Sequence, residues 1–174
     1  MLTLQKILSA TPPAIRMRAK DQCFGQAYKP PRKATNVTKS GGYLIEDESG
    51  QYREFRYKTK CTDGWRKVVV RFYGPISVNT PVWCACSCPY FKYHCEVALA
   101  KRGSSAVIQS DGQRPRFTNP RLEPRVCKHV FLVFMLALRR RKPDQDVLKP
   151  TNSLIGRVAR RLLPRSVWLG EGGL

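Results

Sequence analysis

Trp83-Cys84-Ala85-Cys86-Ser87-Cys88 opens, and Cys127-Lys128-His129 closes, the segment around which the rest of this 174-residue chain is arranged. Five of the seven cysteines and both histidines fall inside it. Residues i and i+2 of an extended segment share a face, so the sulfurs of Cys86 and Cys88 can point toward one ion. Cys127 and His129 can do the same where a loop enters a helix. Three thiolates and one imidazole form the closed tetrahedral set of a structural zinc site.

Other residues of the segment are alternatives to this ligand set. Cys84 lies on the same strand face as Cys86 and Cys88, and His94 and Cys95 follow shortly after; these three further residues are kept as reserves. The thiols could instead be buried as small hydrophobic groups or be paired in disulfides. Such a density of cysteines in a chain of intracellular character favours a metal. Zinc is the expected metal, and an iron–sulfur cluster is the alternative for a site rich in thiolates.

The order of these residues resembles a known zinc finger. Cys86-Ser87-Cys88-Pro89-Tyr90-Phe91, with an aromatic residue three places after the second cysteine, and the distant Cys127-Lys128-His129 are similar to the C-x-C…C-x-H pattern of the SWIM family. With Asn119-Pro120 before the C-x-H, the segment also resembles SWIM-like proteins of tailed-phage particles. The resemblance implies a zinc-binding module that contacts DNA or proteins. Here 38 residues separate its two halves, which is more than in the usual finger.

The composition is strongly basic. Thirty-two Lys and Arg against 12 Asp and Glu give a formal net charge of +20, which favours an acidic partner such as nucleic acid or an acidic protein face. The first residues have no basic region ahead of a long apolar run, so no signal peptide is predicted. The longest apolar run, Val130 to Leu138, has nine residues and is too short to span a membrane. These features predict a location inside the cell or in a virion.

Alternating apolar residues between turn signals predict a small antiparallel β meander over residues 43–86. Apolar residues at helical spacing predict helices over 91–100 and 127–142, and a hairpin is expected between them over 107–117. The helix over 127–142 is apolar on every side and should be buried all round. The predicted fold class is therefore α+β, with a small antiparallel meander and helices around a structural metal site.

Both ends of the chain are expected to be extended basic arms. Residues 1–42 are predicted to form a basic N-terminal arm, 43–142 the metal-stapled domain, and 143–174 a linker with a basic amphipathic helix and a tail. Basic residues of the arms are the expected partner-binding residues: Arg32, Lys33, Lys39, Arg157, Arg160 and Arg161.

Three classes of function can be compared on this basis. His94-Cys95-Glu96 imitates the H-x-E of zinc deaminases, but the P-C-x-x-C that those enzymes require does not follow, so no enzyme is predicted. A basic chain supports non-specific phosphate contact, and SWIM-type nucleic-acid binding is the alternative function. A metal-stapled core with basic arms favours a non-catalytic structural component of a large assembly, which contacts other structural protein subunits. The resemblance points to a tailed-phage virion part such as the tail, baseplate or neck.

Overall fold

The computed structural model describes residues 1–27, 36–37, 42–48, 50–62 and 64–140. Within these residues the chain has an α+β fold, with five helices and one antiparallel sheet of seven strands. The strands are β1 Leu2–Thr3, β2 Phe24–Ala27, β3 Asn36–Val37, β4 Tyr43–Asp47, β5 Gly50–Cys61, β6 Gly64–Phe72 and β7 Pro81–Cys86. The helices are α1 Leu4–Ala10, α2 Pro13–Gln22, α3 Pro89–His94, α4 Glu96–Ala100 and α5 Lys128–Arg140.

The predicted meander forms the centre of the sheet. Strands β4 to β7 are neighbours in chain order, β1 pairs with β7, and β2 and β4 pair with different parts of β5. In β6 Val68, Val70 and Phe72 are fully buried, whereas the residues between them are half-buried, as alternation along a strand requires. Gly64 begins β6 with φ +93°, which glycine adopts without a steric penalty. The prediction of an antiparallel meander is confirmed.

Helix α5 covers one face of the sheet and forms the main core with it. Phe134 is buried and meets Phe72 edge to face at a centroid distance of 5.9 Å, and Phe72 meets Phe55 at 5.8 Å. Burial of one such side chain contributes about 1.5–3 kcal/mol. Leu132 and Leu136 stay half-buried, so the helix is not covered on every side. The described residues include no helix with the length and apolar character that a membrane span requires.

The first 22 residues correct the prediction of an N-terminal arm over residues 1–42. Leu4, Ile7 and Leu8 of α1 and Ala19 of α2 are buried in the same hydrophobic cluster as α5, and α2 packs against α5. Their spacing of three and four residues gives each helix an apolar face, and burial of that face outweighs the basic composition. The other boundaries of the proposed domains stay predictions, since 28–35, 38–41 and 141–174 lie outside the described residues.

The connection from α4 to α5 differs from its prediction. Residues 101–127 contain no strand, so the hairpin expected over 107–117 is wrong. Backbone N–H groups of Ile108, Gln109 and Ser110 donate instead to the buried carboxylate of Glu96, at 3.1, 3.1 and 2.6 Å. A carboxylate thus satisfies the donors that a strand pair would have used. The helix predicted over 91–100 is divided into α3 and α4 at Cys95, whose φ is −120°.

Candidate metal centre

Strand β7 and helix α3 position the first pair of cysteines. Cys86 is the last residue of β7, and Cys88 is the N-cap of α3. Between them, Ser87 is fixed to β6 by two hydrogen bonds: its N–H donates to the carbonyl of Lys67 at 3.0 Å, and the N–H of Lys67 donates to its hydroxyl at 2.9 Å. The Phe91 N–H donates to the sulfur of Cys88 at 3.2 Å. The C-x-C pair is therefore held between a strand end and a helix start.

The second pair lies where the long connection enters α5. Cys127 precedes the helix and its carbonyl accepts the N–H of Phe131 at 3.0 Å, while His129 lies in the first turn. The residue before it, Val126, donates its N–H to the hydroxyl of Thr11 at 3.2 Å. The same hydroxyl donates to the carbonyl of Ile7 at 2.8 Å. Helix α1 thus fixes the approach to the second pair, a contribution that motif reading did not find.

The structure brings the four predicted ligands together. The ligand atoms of Cys86, Cys88, Cys127 and His129 all lie within 4.8 Å of one another. Each of these residues is no more than 2% exposed. Zn–S bonds of about 2.3 Å at tetrahedral angles would separate ligand atoms by about 3.8 Å. This buried group of three cysteines and one histidine, within metal-binding distance, indicates a site for a metal ion.

The thiols of the group differ in acidity. Hydrogen bonds from Cys127 and then Cys86 hold the pKa of the Cys88 thiol far below its usual range. Burial raises the pKa of Cys86 and of Cys127. Proton sharing of this kind places one thiolate at Cys88, next to the start of a helix, where negative charge is stabilised. A metal cation would displace the remaining thiol protons.

The three reserve residues fall outside this group. Among the described residues, no set of potential ligands contains Cys84, His94 or Cys95. Cys84 and Cys95 are at most 1% exposed, and burial raises the pKa of both thiols. His94 stacks on Tyr90 with ring centroids 4.1 Å apart, and its Nδ1 lies 3.2 Å from the carbonyl oxygen of Thr118. Burial lowers the pKa of His94.

Two polar side chains connect the connecting loop to the site. Gln109 donates a side-chain N–H to the carbonyl of Cys86, and Glu96 holds the backbone of Gln109. Asn119 is 2% exposed, and its side chain bonds the carbonyls of His94 and Glu123 at 2.8 and 2.9 Å. The resemblance had drawn attention to Asn119 without a role. Its amide joins the end of α3 to the chain that leads to Cys127.

A disulfide between Cys23 and Cys61 was not anticipated. These are the two cysteines outside segment 83–129, and 38 positions separate them in sequence. The antiparallel pairing of β2 with β5, in which Phe24 faces Lys60, brings them side by side. No spacing motif announces such a pair, since only the register of two strands decides it.

The predicted partner-binding residues cannot be placed. Arg32, Lys33, Lys39, Arg157, Arg160 and Arg161 all lie outside the described residues. Comparison with models of protein families, with curated proteins and with solved structures finds no match for this chain.

Proposed function

We propose that this protein is a non-catalytic structural component of a larger assembly, with a core stapled by one zinc ion. The observation that carries the proposal is the closed, buried group of Cys86, Cys88, Cys127 and His129. Three thiolates and an imidazole fill the four positions of a tetrahedral ion. Structural zinc sites have this composition, whereas catalytic ones keep a position for water or substrate.

Zinc is favoured over an iron–sulfur cluster by the size of the group. All four ligand atoms lie within 4.8 Å of one another, which suits a shell around a single ion. In an iron–sulfur cluster the ligands are shared between separate irons bridged by sulfide, so they stand farther apart. The mixture of thiolate and imidazole ligands also suits zinc.

The environment of the former enzyme candidate supports a non-catalytic function. Glu96 is fully buried, and its carboxylate accepts N–H groups from three successive residues, 108–110. A carboxylate engaged in this way stabilises a loop and has no free oxygen directed at a substrate. His94, its neighbour in the H-x-E triplet, contacts Tyr90 and Thr118 rather than the metal group.

An exposed apolar surface on the connecting loop supports association with other subunits. Phe117 is 94% exposed and Ile108 is 60% exposed. Both belong to a loop that side-chain bonds hold in place, including the bond from the Thr118 hydroxyl to the carbonyl of Tyr93. Large apolar groups on a fixed loop are characteristic of contact sites. The resemblance to SWIM-like proteins of tailed-phage particles makes a virion, at the tail, baseplate or neck, the assembly that we propose.

Incorporation into particles tests this function. We expect mass spectrometry of gradient-purified virus particles from the native source to detect the chain at a fixed stoichiometry. Replacing Phe117 and Ile108 by serine should abolish incorporation without loss of zinc. Met17→Ser, which alters a side chain of α2 that is 61% exposed, is the matched control and should be incorporated normally. Absence of the wild-type chain from particles would reject the virion assignment.

Nucleic-acid binding is the second candidate, because the net charge is +20. Charge of this size supports phosphate contact that weakens steeply with salt. Fluorescence anisotropy with a generic 30-base-pair duplex should show binding at 50 mM salt that is lost near 200 mM if the assembly function holds. Binding that remains below micromolar Kd at 200 mM salt would favour the nucleic-acid function instead.

A further inference from the structure

A second set of potential ligands adjoins the metal group and shares one residue with it. The sulfurs of Cys23 and Cys61 and a ring nitrogen of His129 lie within 4.8 Å of one another. His129 therefore lies between two sulfur-rich sets, of which one is free and the other is joined as a disulfide. While the disulfide is intact, its sulfurs carry no thiolate charge and are poor ligands for a divalent metal.

The strand pairing keeps the two sulfurs adjacent whether or not they are bonded. Residues 24–27 of β2 pair with residues 57–60 of β5, which places Cys23 opposite Cys61 at a Cα distance of 4.5 Å. Cys61 is 6% exposed, and Cys23 is half-buried. Solvent therefore reaches the pair on the side of Cys23. A dithiol reductant and a metal ion can approach from there.

We propose that reduction of the disulfide between Cys23 and Cys61 creates a second metal position, which these two cysteines form together with His129. The proposal rests on the metal centre of the proposed function, because His129 belongs to both. A dithiol supplies two electrons and two protons, so the S–S bond becomes two thiols and the dithiol becomes a disulfide. A divalent cation of the zinc class then displaces the two thiol protons.

The shared imidazole sets the character of this second position. An imidazole has two ring nitrogens and can give one to each ion, with loss of its N–H proton as the second ion binds. The second ion then has two thiolates and one nitrogen, which leaves its fourth position for water. Two thiolates favour Zn²⁺, Cd²⁺ or Co²⁺ over Mg²⁺ or Ca²⁺. The second position is therefore open and dependent on redox state, unlike the first.

Titration with Co²⁺ tests the proposal. The full-length apoprotein is prepared with the disulfide intact and, separately, after treatment with a dithiol that is removed under anaerobic conditions. We expect the thiolate-to-cobalt absorption to saturate at one equivalent in the oxidised protein and at two equivalents in the reduced protein. Cys23→Ser/Cys61→Ser should saturate at one equivalent after either treatment. Cys84→Ser, which changes a buried cysteine outside both groups, should behave like the wild type.

The outcomes separate the two proposals. One equivalent in both redox states of the wild type would overturn the second position and leave the first intact. No binding in the oxidised protein would overturn the first site itself. The comparison of the two wild-type preparations decides the question even if the double variant fails to fold.

Discussion

Cys88 concentrates the chemistry of the metal centre in a single side chain. It caps α3, accepts the N–H of Phe91, and receives hydrogen bonds from Cys127 and Cys86. These donors lower its thiol pKa, whereas burial raises the thiol pKa of Cys86 and of Cys127. In the absence of metal the group thus holds one thiolate and two thiols. Metal binding has to remove the two remaining protons.

Metal affinity should therefore rise with pH. The sign follows from the two thiols with raised pKa, Cys86 and Cys127, since they are protonated at neutral pH and the metal competes with their protons. With two protons released, affinity should increase about 100-fold for each unit between pH 7 and 8. Competition with a chromophoric chelator across this range measures the slope. An affinity independent of pH would show that the cysteines already bind as thiolates.

Glu96 offers a second prediction at the level of one residue. Glutamine at this position keeps one acceptor but turns an NH₂ group toward backbone N–H donors, so Glu96→Gln should destabilise the protein by about 1.5–3 kcal/mol. Hydrogen exchange at residues 108–110 should accelerate at the same time. Glu123→Gln is the matched control, because this carboxylate is about half exposed and its ion pair with Arg125 spans 3.8 Å; it should change stability by less than about 0.5 kcal/mol. Equal effects of the two variants, measured by urea unfolding, would contradict the role given to Glu96.

Among the elements, the N-terminal helices connect most directly to the site. Helix α2 packs against α5, and Thr11 links the end of α1 to Val126, 115 positions away. Thr11 is fully buried, so its hydroxyl bonds are made in a dry environment. Because Val126 is directly followed by Cys127, these bonds fix the backbone at which the second ligand pair begins.

Substitutions of Thr11 should affect both stability and metal affinity. Thr11→Val has the same shape but leaves the N–H of Val126 and a hydrogen bond to Ile7 without their partner, at a cost of about 1–3 kcal/mol. We also expect weaker zinc binding, since Cys127 loses its backbone support. Thr11→Ser keeps the hydroxyl and should retain wild-type affinity with a smaller loss of stability. Identical chelator competition curves for the two variants would refute this link.

The elements that the sequence predicts best are those with a local pattern. Alternation at Val68, Val70 and Phe72 identifies β6, and the C-x-C and C-x-H spacings identify four ligands that the structure gathers. The N-terminal helices were misread because basic composition was weighed above the apolar spacing of Leu4, Ile7 and Leu8. The hairpin over 107–117 was misread because a distant buried carboxylate, invisible to local pattern, takes its backbone donors.

At the scale of the whole molecule, the metal centre joins parts of the chain that are far apart in sequence. The end of the meander supplies Cys86 and Cys88, the start of α5 supplies Cys127 and His129, and α1 supports the latter pair through Thr11. The interval of 38 residues between the two ligand pairs is a loop that the metal closes. Closure of this kind converts metal-binding energy into folding energy, which in zinc-finger peptides amounts to about 10–16 kcal/mol.

The most direct test of a structural zinc centre is elemental analysis of the purified, disulfide-intact protein, combined with unfolding before and after chelation. We predict one zinc and no iron per chain, and loss of near-ultraviolet circular dichroism and of cooperative unfolding when the zinc is removed. Cys88→Ser should match the chelated protein, whereas Cys95→Ser, an equally buried cysteine outside the group, should keep its zinc. A protein that contains no metal, or that unfolds at the same temperature with and without it, would contradict the account.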